Sequence, residues 1–372
     1  MGGKAFAELG QDAFPRIPTQ VYTPLKARLA AHLKKLYAFV DTPAGSPEKG
    51  DHGDIVFVVC TPLTTGHKPK ADNTDAALSN AHARIKDALG AQYGIPAKGT
   101  CMPMSNFAVP AGPELAGKFC QVDLHVCKDK DEWQRTLFFN SYGDMGMILS
   151  LFTRAHGLTL GTKGLRTHYI KQDETHISSF FLSDDLEKIL RFLGLSMETW
   201  ARGFATRADV FAWLKSSRFF APRRLVGADP TQEKKAVRQH REMYQAFLEF
   251  SNALAAEQPN SNSGPDSESA EEIIKEATRQ EALIYFGKKE SYNALVAKNL
   301  QDYNFRQKFN GKKMMEWTGL QGTVIRLVMH GVRERLSEAE IAAMDEGTLR
   351  NVVLEVKPEA EIRYSAVKDS KE

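Results

Sequence analysis

The chain has 372 residues, enough for two or three domains that each bury a core, and a formal charge of +3, too small to announce nucleic acid by itself. It holds no apolar run long enough to cross a bilayer and no charged-then-apolar leader, so the expectation is a soluble intracellular protein, cytoplasmic or nuclear, with no membrane partner. Its four cysteines, Cys60, Cys101, Cys120 and Cys127, lack CxxC spacing and the density of a disulfide framework, and read as buried thiols in a reducing compartment.

In chain order, residues 1–18 carry a Gly-Gly pair and two prolines and read as an extended lead-in. Tyr22, Leu25, Leu29, Leu33, Leu36 and Tyr37 recur at three- and four-residue steps, which predicts a helix ending near Val40. A Pro- and Gly-rich loop over 41–53 then delivers the chain to an apolar strand that opens at Asp54. A helix is expected over 74–89, capped by Asp72 or Thr74. Short strands follow at 106–110 and 119–126 around a turn at 112–117, and 133–139 adds another strand or a short helix. Residues 144–156 carry one apolar stripe, with Asp144 as the expected N-cap and Gly157 as the C-cap.

From about Ser183 helices dominate, one of them running from about 230 to 256. The Gln-, Pro-, Asn-, Ser- and Gly-rich stretch 258–269 is the clearest linker. Further helical sets span 273–300 and 309–336, and the charged tail after Val367 is expected to fray. The layer pattern predicts an α+β fold, with a mixed β-sheet first and a mostly helical C-terminal half after it.

The chemistry worth pursuing lies in the acids on the two β-branched strands. Carboxylates on adjacent strands, aimed at one point, hold hard cations such as Mg²⁺, and two such ions about 3.5–4 Å apart drive in-line phosphoryl displacement. That arrangement wants three acids. Side chains two apart share a strand face, so a metal-binding strand should read Asp-x-Asp, yet Asp54 is followed by Val56. Asp51, three residues earlier, is the alternative third ligand. His125 faces the same side as Asp123 and reads as either a sheet residue or a phosphate or metal contact. Between 202 and 241 bases such as Arg218, Arg223 and Arg224 outnumber acids, which suits phosphate or a solvated helix face.

At these residues the chain resembles the family X DNA polymerases and their nucleotidyltransferase relatives in fungi and phages. The resemblance rests on Gly53-Asp54-Ile55, on Val122-Asp123-Leu124, and on Phe138-Phe139-Asn140-Ser141-Tyr142-Gly143-Asp144 leading into Arg154-Ala155-His156-Gly157-Leu158. Gly2-Gly3-Lys4-Ala5-Phe6, Phe192-Leu193-Gly194-Leu195 and Ser216-Ser217-Arg218-Phe219-Phe220 look like the fungal members. Phe309-Asn310-Gly311-Lys312-Lys313-Met314 with Gly319-Leu320-Gln321-Gly322 is more loosely similar to a tail motif of tRNA CCA-adding enzymes and poly(A) polymerases.

The resemblance implies a nucleotidyltransferase-like palm and thumb over 1–180; the charge, periodicity and composition readings add a helical extension with a basic surface over 181–257, the linker 258–269 and a helical region over 270–372. It implies transfer of a nucleoside monophosphate from a nucleoside triphosphate to a hydroxyl, with Mg²⁺ or Mn²⁺. Asp54 would be the first metal ligand and Asp123 the acid that activates the hydroxyl. Ser46 of Gly45-Ser46 would hold triphosphate, although Pro47 follows and the family's Arg is absent. Asn140 and Tyr142 would contact the nucleotide, while the basic run, not the resemblance, nominates Arg218, Arg223 and Arg224 to meet DNA or RNA. Val56 stands where the family places its second Asp. Two expectations follow: a two-metal nucleotidyltransferase weakened at Val56, or a degenerate relative that binds nucleotide, nucleic acid or a protein.

Overall fold

The computed structural model describes residues 4–63, 75–96, 104–170, 177–222, 240–257 and 268–369. The expected caps Asp72 and Thr74, Cys101, Arg223, Arg224, the first part of the 230–256 helix and most of the linker lie outside them.

The leading elements are β1 (Ile17–Pro18), α1 (Thr19–Leu33), β2 (Tyr37–Asp41), β3 (Asp51–His52) and β4 (Asp54–Pro62). Helix α1 stops at Leu33, seven residues before the predicted end. The apolar spacing runs on through Leu36 and Tyr37, but the aromatic and β-branched Tyr37-Ala38-Phe39-Val40 satisfies its backbone in a ladder instead. It pairs antiparallel with β4, Phe39 opposite Cys60 and Val40 opposite Val59.

Next come α2 (Asp75–Leu89), β5 (Tyr93–Ile95), β6 (Met104–Pro110) and β7 (Phe119–Cys127). The five-stranded sheet has the order β2-β4-β7-β6-β5, in which only the central pair β4–β7 is parallel. Its mixed character is as expected. Strand alternation sends Ile55, Phe57 and Val59 of β4, with Val122 and Leu124 of β7, into a core closed by Leu25, Leu29 and Leu33 of α1 and Ile85 and Leu89 of α2. The opposite face carries Asp54 and Val56, then Val58, Cys60 and Cys127, which pack with Trp133 and Leu137.

Those last two residues belong to α3 (Lys130–Asn140), so 133–139 is a helix, started by the Asp129 carboxylate accepting the Glu132 N–H at 2.8 Å. Trp133 Nε1 donates to Val58 O at 2.9 Å and fixes α3 on the sheet. Helix α4 (Met145–Ala155) follows, and Gly157 beyond it adopts a φ of +76°. The hairpin β8 (Leu158–Gly161) and β9 (Gly164–Ile170), with β10 (Ile177–Ser183) on its other side, was not expected. Thr162 and Lys163 form its two-residue turn, flanked by the paired Gly161 and Gly164.

Cys60, Cys120 and Cys127 are free and buried, and burial pushes the Cys120 and Cys127 thiols up to about 12 and about 11.

The remaining described elements are helices: α5 (Leu186–Phe192), α6 (Met197–Arg202), α7 (Arg207–Lys215), α8 (Glu242–Glu257), α9 (Glu268–Tyr285), α10 (Lys289–Lys308), α11 (Gly311–Thr318), α12 (Thr323–Arg335), α13 (Glu338–Ala343) and α14 (Glu346–Asp369). No described helix is long and apolar enough to cross a membrane.

The chain divides into two compact units. The first comprises Met1–Thr167 and Phe181–Phe286 and holds the five-stranded sheet. The second comprises His168–Phe180 and Gly287–Glu372. Its core joins Phe309, Met314, Val328, Val332, Ile341 and Val353, and Tyr292 packs against Tyr169 and Phe180 with ring centroids 6.5 and 5.2 Å away.

Candidate functional site

The parallel register of β4 and β7 decides which side chains meet. Asp54 stands opposite Gln121, Val56 opposite Asp123, and Val58 opposite His125. All six share one face of the sheet, so Asp54 and Asp123 are diagonal neighbours with an isopropyl group between them.

Asp123 is only 7% exposed. Its Oδ1 accepts two amide N–H groups, from Asn106 at 2.7 Å and Gln121 at 2.8 Å, and the Gln121 Oε1 in turn accepts the Ala5 N–H at 3.2 Å. Burial raises the Asp123 pKa above its ordinary value; the two amides pull it back and the nearby Asp54 charge adds to the rise. His125, one pleat further, is buried, and burial lowers its pKa.

Beside Asp54 and Val56 opens a cleft of about 190 Å³. One wall is the 42–50 loop, which contributes Ala44, Ser46 and Lys49. The other is the turn after α3, which contributes Asn140 and Gly143, while Tyr22 and His52 close the side. The walls are bonded to each other: the Ala44 N–H donates to Ser141 Oγ at 3.0 Å and the Tyr142 N–H donates to Ala44 O at 2.7 Å.

Tyr142 and Gly143 both hold left-handed φ, +56° and +68°. Gly143 is required there twice over, because a Cβ would lie 2.8 Å from Met243 Sδ and 3.2 Å from the Ser46 side chain. Tyr22 and His52 stack at 3.7 Å between centroids. Burial, Lys49 and Arg16 hold the His52 pKa below its usual range.

Of the expected contacts, Ser46 and Asn140 line this cleft with Asp54. Asn140 Nδ2 donates back to Thr136 O at 2.8 Å. The Tyr142 ring instead packs edge-on against Phe204, 4.8 Å away, and its hydroxyl reaches Trp200 O at 3.5 Å, so only its backbone borders the cleft wall.

Asp51 is half exposed and ion-paired with Arg16 at 2.6 Å, which depresses its pKa. Strand β3, which carries it, pairs with β1 and not with the site strands. Asp144 occupies the N-cap position of α4 but makes no cap hydrogen bond; its carboxylate takes Arg241 Nη1 at 2.5 Å. Arg218 is engaged with Glu281 at 2.6 Å and lies over the Phe192 and Phe219 rings at 4.4 and 4.9 Å.

Among the described residues no group of three His, Cys, Asp or Glu is placed to hold a metal ion. A pair of Mg²⁺ ions needs carboxylates that fix both geometry and charge. Here one acid spends an oxygen on two amides, a second stands a pleat away, and the third position is aliphatic. The donor set does not fit that pair.

Reading the sequence alone missed Asn106, Gln121 and Lys49. The alternation of β7 puts Gln121 on the Asp123 face and was a usable signal; the role of Asn106 depends on the β6–β7 register, which pairs it with Asp123 and which no local pattern encodes. Compared with protein-family models and with curated proteins, the chain has no match in either.

Proposed function

We propose that the first unit is a nucleotidyltransferase-like palm that has kept nucleotide binding and lost nucleotidyl transfer. The observation that carries this reading is the placement of Val56 directly opposite Asp123, where transfer chemistry would want a carboxylate. Binding is supported by the cleft beside it. Its loop offers the Ser46 hydroxyl and the Lys49 ammonium to phosphate, and Asp54 offers oxygens to hydroxyl donors such as those of a ribose. At about 190 Å³ the cleft lies below the range of roughly 300–1,000 Å³ typical of whole-ligand pockets, which suits a sugar-phosphate with the rest of the nucleotide outside it.

The experiment is equilibrium dialysis with labelled nucleoside triphosphates in Mg²⁺ buffer, run alongside incorporation assays on DNA and RNA primers. Saturable retention without incorporation is expected. Incorporation that vanishes in the Asp123→Asn variant would overturn the degenerate reading in favour of a working transferase. Absence of saturable retention would overturn nucleotide binding altogether.

A further inference from the structure

We infer that the cleft takes the phosphates of its nucleotide without a divalent metal, meeting their charge with Lys49 in place of a bridging cation. The inference rests on the nucleotide-binding reading and deepens it.

Three observations carry it. First, in a two-metal site the ions meet the charge of the acids, whereas here protein amides do that for Asp123. Asp123 is 7% exposed and its Oδ1 is held by Asn106 and Gln121, the latter fixed by the Ala5 backbone. Two amide donors on one oxygen supply the positive field that a cation would otherwise bring. Second, among the described residues no further acid joins Asp54. Val56 fills the position across from Asp123, and Asp51, ion-paired with Arg16, is committed elsewhere. A single accessible carboxylate is a poor site for Mg²⁺, which gives up its water reluctantly and is otherwise held through carboxylates together with substrate phosphates.

Third, a cation is already built into the phosphate end. Lys49 lines the cleft on the same loop as Ser46 and makes no ion pair among the described residues. An ammonium with three donors suits a phosphate as a point charge. The cleft is also shaped in advance, since the bonds linking Ala44 to Ser141 and Tyr142 hold its walls with no ligand needed to draw them together.

The test is titration calorimetry of the full chain with ATP, CTP, GTP and UTP, each in excess EDTA and in excess Mg²⁺. The expected result is saturable binding of at least one triphosphate with affinities within about twofold in the two conditions, and a weakening of about tenfold in the Lys49→Gln variant. Lys49 is exposed, so that variant keeps the fold, and thermal melting checks it. Binding in Mg²⁺ that disappears in EDTA would overturn this inference and leave the nucleotide reading standing. Unchanged binding by Lys49→Gln would overturn the assignment of Lys49. No saturable binding in either condition would overturn both readings.

A second readout needs no nucleotide. Mn²⁺ titrated into the protein and followed by paramagnetic resonance should bind wild type at least about tenfold more weakly than Val56→Asp, whose new carboxylate completes an Asp-x-Asp strand. Val56 is half-buried and lines the cleft, which gives the introduced charge access to solvent. Wild type binding Mn²⁺ as tightly as the variant would overturn the inference.

Discussion

Val56 stands directly across the parallel β4–β7 pair from Asp123, and Asp54 stands one pleat away across from Gln121. The two acids therefore share a face as diagonal neighbours, with Val56 and Gln121 on the other two corners. The protein has settled the buried one with amides: both Asn106 and Gln121 donate to the same Asp123 oxygen. Four consequences of this and of the surrounding packing can be measured.

Asp123→Asn should be tolerated by the fold. Because both amides bond to Oδ1, an asparagine oxygen in that place keeps both bonds while the buried charge disappears. The folded-state pKa of Asp123 is raised, so between its unfolded and folded values the native state binds more protons than the unfolded one. Wild-type stability then falls as pH rises through that window and levels off above the folded value. The variant should lack this slope, and at neutral pH it should match wild type or exceed it by about 1 kcal/mol. Urea denaturation at a series of pH values checks this, and a variant that is markedly less stable at neutral pH would count against it.

Gln121→Met preserves side-chain length but removes one donor to Asp123 and the acceptor of the Ala5 N–H. Loss of the donor should drive the Asp123 carboxyl pKa further upward. The unpaired groups should cost about 1–3 kcal/mol. Carboxyl carbon shifts followed by NMR titration report the first effect and denaturant unfolding the second. Amide exchange at Ala5 should also quicken, because the N-terminal segment reaches the site through that bond.

Gly143→Ala places a methyl group 2.8 Å from Met243 Sδ on a backbone held at φ +68°. The strain should cost about 1–3 kcal/mol. Relief by displacement of the 42–50 loop would break the bond from the Tyr142 N–H to Ala44 O, so hydrogen exchange should accelerate at Tyr142 while the β4 amides stay protected. Uniform acceleration would point to general destabilisation instead.

Thr206→Ala removes the hydroxyl that accepts the Asp209 N–H at 3.1 Å and so opens the capping box of α7. A loss of about 1 kcal/mol is expected, with Thr206→Ser close to wild type. Thermal unfolding of the three proteins in parallel decides it; equal losses in both variants would assign the effect to the Thr206 methyl group rather than to the cap.

The parts of the fold legible in sequence were those governed by local periodicity. A continuous apolar run along 55–60 and alternation along 119–126 marked the two site strands, and the two-residue period of a strand showed that Asp54 and Val56 share a face. The helix boundary at Leu33 was hidden because the 3.6-residue spacing of Leu29, Leu33, Leu36 and Tyr37 continues into a segment that a distant strand recruits. The hairpin at 158–167 was hidden by its neighbours: a glycine-rich turn after a helix reads as a loop until the strands on either side find each other. At the site, single residues were visible and their partners were not. Asp51 lies three residues from Asp54 in sequence, yet Arg16, from far earlier in the chain, claims it. The Asp123 clamp likewise draws on Ala5 and Asn106, and nothing in the sequence near Asp123 points to either.

The β9 and β10 arms carry residues 168–180 out of the first unit and into the second, whose remainder begins at Gly287. Tyr292 depends on that excursion: its ring packs on Tyr169 and Phe180, and its hydroxyl reaches His168 O at 3.5 Å. No single break in the polypeptide can therefore release the helical unit whole. A gene stopped after Phe286 deprives Tyr169 and Phe180 of Tyr292, and a gene started at Gly287 deprives Tyr292 of both. Expressing that unit alone calls for a chain in which the 168–180 segment is spliced ahead of residue 287.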